Sequence, residues 1–140
     1  TLDTVRVTAS AFERRLAEFR MHQSMGIGRF LNDSALAREG TRSVALVLIS
    51  RLPGFRLEPV PDAPGRDSLM AVKPSGLMHS PSFACPVLIY LDGFLVQNGL
   101  ESIHTNELIG VESYDIEAAP VQYRRPGSAC KVVLFWSKPY

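Results

Sequence analysis

Two short runs in the sequence are apolar at almost every position, and they limit the folds that the chain can adopt. Val87–Leu91 reads VLIYL, and Val132–Ser137 reads VVLFWS. A strand with one face in water alternates apolar and polar residues, whereas a strand covered on both faces does not. Both runs are therefore predicted to be central strands of a small sheet.

Such strands need an apolar partner, and the segment Val44–Leu52 supplies one. The segment is predicted to be a helix that Thr41 can cap and that ends at Pro53-Gly54. Apolar side chains would cover nearly the whole circumference of this helix. A helix of this kind must be buried on most sides, so we expect it to pack on one face of the sheet. The segment Val111–Ile116 is predicted to be a third strand of the same sheet.

The rest of the chain gives weaker signals, which mix helices with strands. Asn32 or Asp33 can cap a short helix that Gly40 ends, Phe55 begins a half-buried strand, and Asp92-Gly93 is a two-residue turn. We therefore predict an α/β (α+β) fold, in which short helices cover a small mixed β-sheet. At 140 residues the chain is long enough for one such domain.

The N-terminal segment is predicted to stand apart from this domain. Residues 1–10 alternate apolar and polar side chains and are interpreted as a short strand or extended arm, which leaves residues 11–140 as the single domain. Ser10 and Glu13 have the spacing of a capping box, so a helix is expected to begin there. Its apolar stripe comprises Phe12, Leu16 and Phe19.

Composition excludes some classes of function. The formal net charge is +1, so no overall field attracts nucleic acid or anionic membranes, and basic residues are not interleaved with aromatic ones. We predict no nucleic-acid partner and a domain that is soluble when isolated. No segment has the roughly 18 consecutive apolar residues that a membrane helix needs.

The sequence also lacks a recognisable catalytic or metal-binding pattern. His22, His79 and His104 are far apart, without Cys or carboxylates at metal-ligand spacing, and are interpreted as loop or surface residues. Cys85 is followed by Pro86 and a strand rather than by the helix N-terminus that would activate a nucleophile. We therefore predict no metal, no cofactor and no enzymatic activity, although an enzyme remains the third hypothesis behind two binding functions.

The order of the motifs resembles the plug domain of TonB-dependent outer-membrane receptors. That family has an arm like VRVTAS, a helix ending like LISRLPGF, a strand ending in Asp-Gly like VLIYLDG, a segment like LIGVESYDIEAAP and a last strand like KVVLFWSK. The resemblance extends from Leu2 to Lys138. The chain departs from it in EAAP, which lacks the family's Arg and Gly, and in Arg124-Arg125-Pro126, which occupies its Gly-rich loop.

This resemblance implies a non-enzymatic module of a TonB-dependent transport system that gates transport or contacts a ligand. The N-terminal arm would offer a strand to a TonB-type energising protein, and an outer-membrane barrel is a second implied partner. The alternative is a standalone periplasmic or surface binding module that uses the plug fold without a barrel, which the two cysteines favour. Either function implies a location in the periplasm or outer membrane of a Gram-negative-type bacterium.

The resemblance also implies the site residues. Loops at one end of a plug contact the ligand, so the candidate ligand or partner contacts are Tyr123, Arg124, Arg125 and His79. It further implies that the strands after Cys85 and Cys130 are parallel neighbours, which would bring these two cysteines within disulfide distance. We therefore predict a Cys85–Cys130 disulfide. The alternative is a pair of buried, reduced cysteines in a cytoplasmic protein.

Overall fold

The computed structural model describes residues 2–73, 83–96, 100, 103–127 and 129–139, with the backbone alone for residues 2–9, 73 and 83. The described helices are α1 (Leu2–Met25), α2 (Asp33–Glu39) and α3 (Val44–Arg51). The described strands are β1 (Arg29–Asn32), β2 (Phe55–Pro59), β3 (Asp67–Lys73), β4 (Phe83–Leu91), β5 (Phe94–Leu95), β6 (Leu108–Asp115) and β7 (Lys131–Ser137). The predicted α/β class is confirmed.

The strands form one mixed sheet in the order β1-β6-β7-β4-β3-β2, with β5 paired to β4. The two apolar runs lie at its centre, as predicted. They are parallel neighbours, with Val87 opposite Lys131 and Leu91 opposite Phe135. The other pairings are antiparallel, and the predicted Asp92-Gly93 turn joins β4 to β5. Both turn residues have positive φ, 51° and 90°, as a two-residue hairpin turn requires.

Helices α2 and α3 cover one face of the sheet. Val47 and Leu48 of α3 are completely buried in the same core cluster as Val133 and Phe135 of β7, which confirms the predicted packing of this helix on the sheet. Its N-cap is Ser43, two residues after the predicted Thr41, and the side chain makes no capping hydrogen bond. The start of α2 was predicted correctly, because the Asn32 side chain accepts a hydrogen bond from the Ala35 N–H at 2.9 Å.

Helix α1 covers the other face of the sheet. The predicted N-terminal arm was wrong, because its residues are part of this helix. Residues 2–9, predicted to be a strand or extended segment, belong to a helix that continues without a break through Ser10 to Met25. Ser10 is therefore not a helix cap. Extending a helix that has already formed is far less costly than nucleating one, and this favours helix over an isolated extended strand. The predicted apolar stripe of α1 does pack on the sheet: Phe19 is buried, and Phe12 and Leu16 contact the same cluster.

Strand β1 was not predicted. Arg29–Asn32 pairs antiparallel with β6, with Leu31 opposite Val111. The preceding Gly28 allows this close approach, because a Cβ there would lie 2.5 Å from the Tyr114 ring. Four residues with one buried side chain give too little periodicity to distinguish a strand from a turn.

The predicted disulfide is present between Cys85 and Cys130. Their Cα atoms are 6.0 Å apart, at the end of the sheet where the parallel pairing of β4 and β7 begins. The Cys130 N–H donates a hydrogen bond to the Pro86 carbonyl at 3.1 Å, so the backbones are joined there as well. Of the described helices, none combines the length and the apolar character needed to cross a bilayer.

Candidate functional site

A buried carboxyl group lies between α1 and the sheet. Glu112 of β6 has no exposed surface, and its side chain points to the α1 face. It accepts hydrogen bonds from His22 Nδ1 at 2.7 Å, from Trp136 Nε1 at 2.5 Å and from the Tyr114 hydroxyl. A buried carboxyl group is tolerated only when its oxygens are hydrogen-bonded, so these three donors make its burial possible.

The electrostatics of this cluster follow from burial. Desolvation raises the pKa of Glu112, against the opposing effect of the hydrogen bonds from Tyr114 and Trp136 and of the nearby His22. Burial and the adjacent Glu112 also raise the pKa of Tyr114, so its hydroxyl keeps its proton and remains a donor. Acid, imidazole and phenol together are groups that can transfer protons. Here the acid is fully enclosed, and its hydrogen bond holds the His22 ring in place.

Two further polar contacts connect α1 to the rest of the domain, one to the segment between β6 and β7 and one to the β4–β5 turn. Glu18 accepts a hydrogen bond from the Tyr123 hydroxyl at 2.6 Å. Arg15 Nε lies 3.4 Å from Asp92 Oδ1, within ion-pair distance but without the alignment of a hydrogen bond. Asp92 in turn accepts hydrogen bonds from the backbone N–H, at 2.8 Å, and from the hydroxyl of Ser137. Asp92 therefore joins α1 to the last strand as well as forming its turn.

Two cavities flank α1. The turn cavity, of about 720 Å³, opens beside the β4–β5 turn, and its wall includes Arg14, Arg15, Glu18, Asp92 and Phe94. The loop cavity, of about 350 Å³, opens between the end of α1 and residues 118–124. Its wall includes Met21, His22, Met25, Ile27, Tyr114, Val121 and Arg124. Volumes of several hundred Å³ are typical of sites for small molecules.

The predicted contact residues do not come together in one site. Tyr123 is buried and lies on the wall of the turn cavity, whereas Arg124 lies on the wall of the loop cavity. Arg125 is exposed and is on neither of these described walls. His79 lies outside the described residues. Arg124 is thus the predicted residue that combines a cavity position with a permanent positive charge.

The prediction for His22 was wrong. It was interpreted as a loop or surface residue, but it lies on α1 and is buried beside Glu112. His104 is exposed, as predicted. The role of Glu112 was also missed, although the sequence held a signal: in a β-strand, a residue two positions from the apolar Tyr114 points to the same buried face.

Metal ligands do not cluster in the described part of the chain, where no group of three His, Cys, Asp or Glu side chains could hold an ion. Both cysteines are in the disulfide. No protein-family model and no curated protein matches the sequence. The described features define an α/β domain with a buried carboxyl group and a surface cavity on each side of α1.

Proposed function

We propose that the chain is a non-enzymatic, plug-like module of a TonB-dependent outer-membrane transport system, which gates transport or contacts the ligand. The observation that carries this proposal is the parallel pairing of β4 and β7. The resemblance to plug domains implied this pairing, whereas two apolar strands alone are equally compatible with an antiparallel arrangement. The buried helix α3, which ends just before Leu52-Pro53-Gly54, adds support because it occupies its expected place against these strands.

Glu112 is not itself placed to act as a general acid or base on a ligand in either cavity. Its carboxyl group has no exposed surface, and it is absent from the described walls of both cavities. A general acid or base must come within hydrogen-bond reach of the reacting proton. The cavities, in contrast, are open to ligands.

Helix α1 changes the form of the proposed contact with a TonB-type protein. A partner that pairs with an added strand needs an extended segment, but residues 2–9 are helical. Strand pairing there would require this part of α1 to unwind. We therefore favour ligand contact at the cavities over donation of a strand by the N-terminal segment.

Photo-crosslinking in a Gram-negative host that produces the natural full-length protein tests this function. A photoreactive residue is placed at Phe94, which is 77% exposed on the rim of the turn cavity, and as a control at Leu46, which is 47% exposed on α3. We expect adducts from Phe94 with an outer-membrane transport protein, and few from Leu46. If neither position gives adducts in the outer-membrane fraction, the transport function is wrong.

The second candidate is a standalone periplasmic or surface binding module, and the disulfide favours it. A cross-link between positions 45 residues apart stabilises a domain mainly by restricting its unfolded chain, which matters most for a domain that folds without further support. Disulfides also persist in oxidising compartments such as the periplasm. In the same experiment, this function predicts adducts with soluble periplasmic proteins and none with membrane proteins.

A further inference from the structure

The loop cavity gathers exposed apolar side chains on one small surface. Met21, Met25, Ile27 and Val121 are 54%, 60%, 59% and 76% exposed, and all four lie on its wall. Single exposed apolar residues are common on protein surfaces, whereas a contiguous group around a concavity indicates a binding surface. Unbranched methionine side chains also adapt to ligands of different shape.

The wall of the cavity carries one permanent charge among its described residues, that of Arg124. Its Nε–H donates to the Ala119 carbonyl at 2.7 Å, which holds the guanidinium against the loop. Among the described residues, this is the one hydrogen bond shown for the Arg124 side chain. It uses Nε and leaves the two terminal amino groups of the guanidinium, Nη1 and Nη2, for other partners. Those groups are suited to a carboxylate, which accepts two parallel hydrogen bonds from a guanidinium.

Two polar groups on the wall of the loop cavity, the His22 imidazole and the Tyr114 hydroxyl, already have a hydrogen-bond partner inside the protein. His22 Nδ1 and the Tyr114 hydroxyl both bond to Glu112, which is itself fully buried. The Glu112 carboxyl group therefore bonds to two rings that line the cavity and is not itself on the wall. An anionic group near Arg124 meets no acidic side chain on the described wall.

We propose that the loop cavity binds a small amphipathic monocarboxylate, such as a medium-chain fatty acid. Its hydrocarbon part contacts Met21, Met25 and Val121, and its carboxylate pairs with the guanidinium of Arg124. The single cation favours this occupant over a neutral lipid, which has no anion to pair with the guanidinium. This inference goes beyond the proposed function and does not depend on it.

Calorimetric titration of the full chain with decanoate, below its micellar concentration, is the direct test. We expect one molecule to bind, and affinity to rise roughly fourfold per methylene from hexanoate to decanoate, as burial of each group predicts. Decanol, which lacks the charge, is expected to bind about tenfold more weakly, the lower end of what a charged hydrogen bond contributes.

Two neighbouring arginines provide a matched pair of variants. Arg124→Gln should reduce decanoate affinity to that of decanol and leave decanol binding unchanged, which also shows that the cavity is intact. Arg125→Gln removes the same charge next to the cavity wall and should change neither affinity. Equal effects of the two substitutions on decanoate would refute recognition by Arg124, because they would reflect net charge alone.

Val121→Asp locates the site independently, because Val121 is exposed and its replacement should not unfold the chain. We expect this variant to lose binding of both decanoate and decanol. Binding that survives the substitution places the ligand elsewhere and overturns the proposal. So does a dimer in sedimentation experiments that Val121→Asp dissociates, because a second copy of the chain would then occupy the cavity. Absence of decanoate binding to the unmodified protein overturns it as well.

Discussion

The hydrogen bond from Tyr114 to the buried Glu112 is expected to contribute more to stability than a similar bond elsewhere in the same protein. Tyr114→Phe removes one of the three donors to a carboxyl group that has no exposed surface. Water cannot replace the lost donor at that position, so the cost should be about 1.5–3 kcal/mol, the range for hydrogen bonds to charged groups. With a urea dependence of about 2 kcal/mol per molar, the unfolding midpoint should fall by about 1 M.

Tyr123→Phe is the matched control, because the hydroxyl of Tyr123 also donates to a glutamate. Its acceptor Glu18 is only partly buried, so water can replace the donor and the loss should be about 0.5–1.5 kcal/mol. Urea titrations at mildly alkaline pH, which favours the ionised carboxylate, can be followed by fluorescence of Trp136, the single tryptophan. If Tyr123→Phe costs as much as Tyr114→Phe, burial of the acceptor does not determine the strength of these bonds.

Three further predictions concern the core, the disulfide and pH. Leu48→Ala should cost about 2–5 kcal/mol in a denaturant titration because Leu48 is fully buried, whereas Leu46→Ala on the exposed side of α3 should cost less than about 0.5 kcal/mol. Reduction of Cys85–Cys130, checked by thiol alkylation and mass spectrometry, should lower the free energy of unfolding by about 4 kcal/mol, and two alkylated thiols in unreduced folded protein would contradict the bond. Because burial raises the pKa of Glu112 in the folded state above the ordinary 4.5, its stabilising contribution is complete below that pH and is lost as pH rises through the folded pKa. Glu112→Gln should reduce the decrease in the free energy of unfolding over this pH range. An unchanged decrease would mean that another group causes it.

The central strands and helix α3 could be predicted because their apolar pattern reflects burial directly. Val87–Leu91 and Val132–Ser137 have few polar residues that could face water, so a central position is the only one that suits them. Strand β1 lacks such a pattern. Its conformation depends on a partner distant in sequence: β1 is a strand because it pairs with β6, and local propensity cannot reveal that pairing.

The polar cluster could not be predicted for a similar reason. His22 and Glu112 are separated by 90 residues, and their contact requires both the docking of α1 and the correct face of β6. A shift of β6 by one residue would turn Glu112 to the opposite face of the sheet, towards α3. Arg124 and Arg125 show the same limit on a smaller scale, because of these adjacent identical residues only Arg124 is on the described wall of the loop cavity.

The docking of α1 links all of these features. Its three polar contacts are spaced three and four residues apart, on one side of the helix, and they connect Arg15 to Asp92, Glu18 to Tyr123 and His22 to Glu112. The helix can lie close to β6 because Gly110 has no side chain: a Cβ there would lie 2.7 Å from the Phe19 ring. Both cavities have α1 as one wall, so undocking the helix would remove them and expose Glu112 to water. A ligand in either cavity binds only the docked state, and by mass action it stabilises the contacts that enclose Glu112.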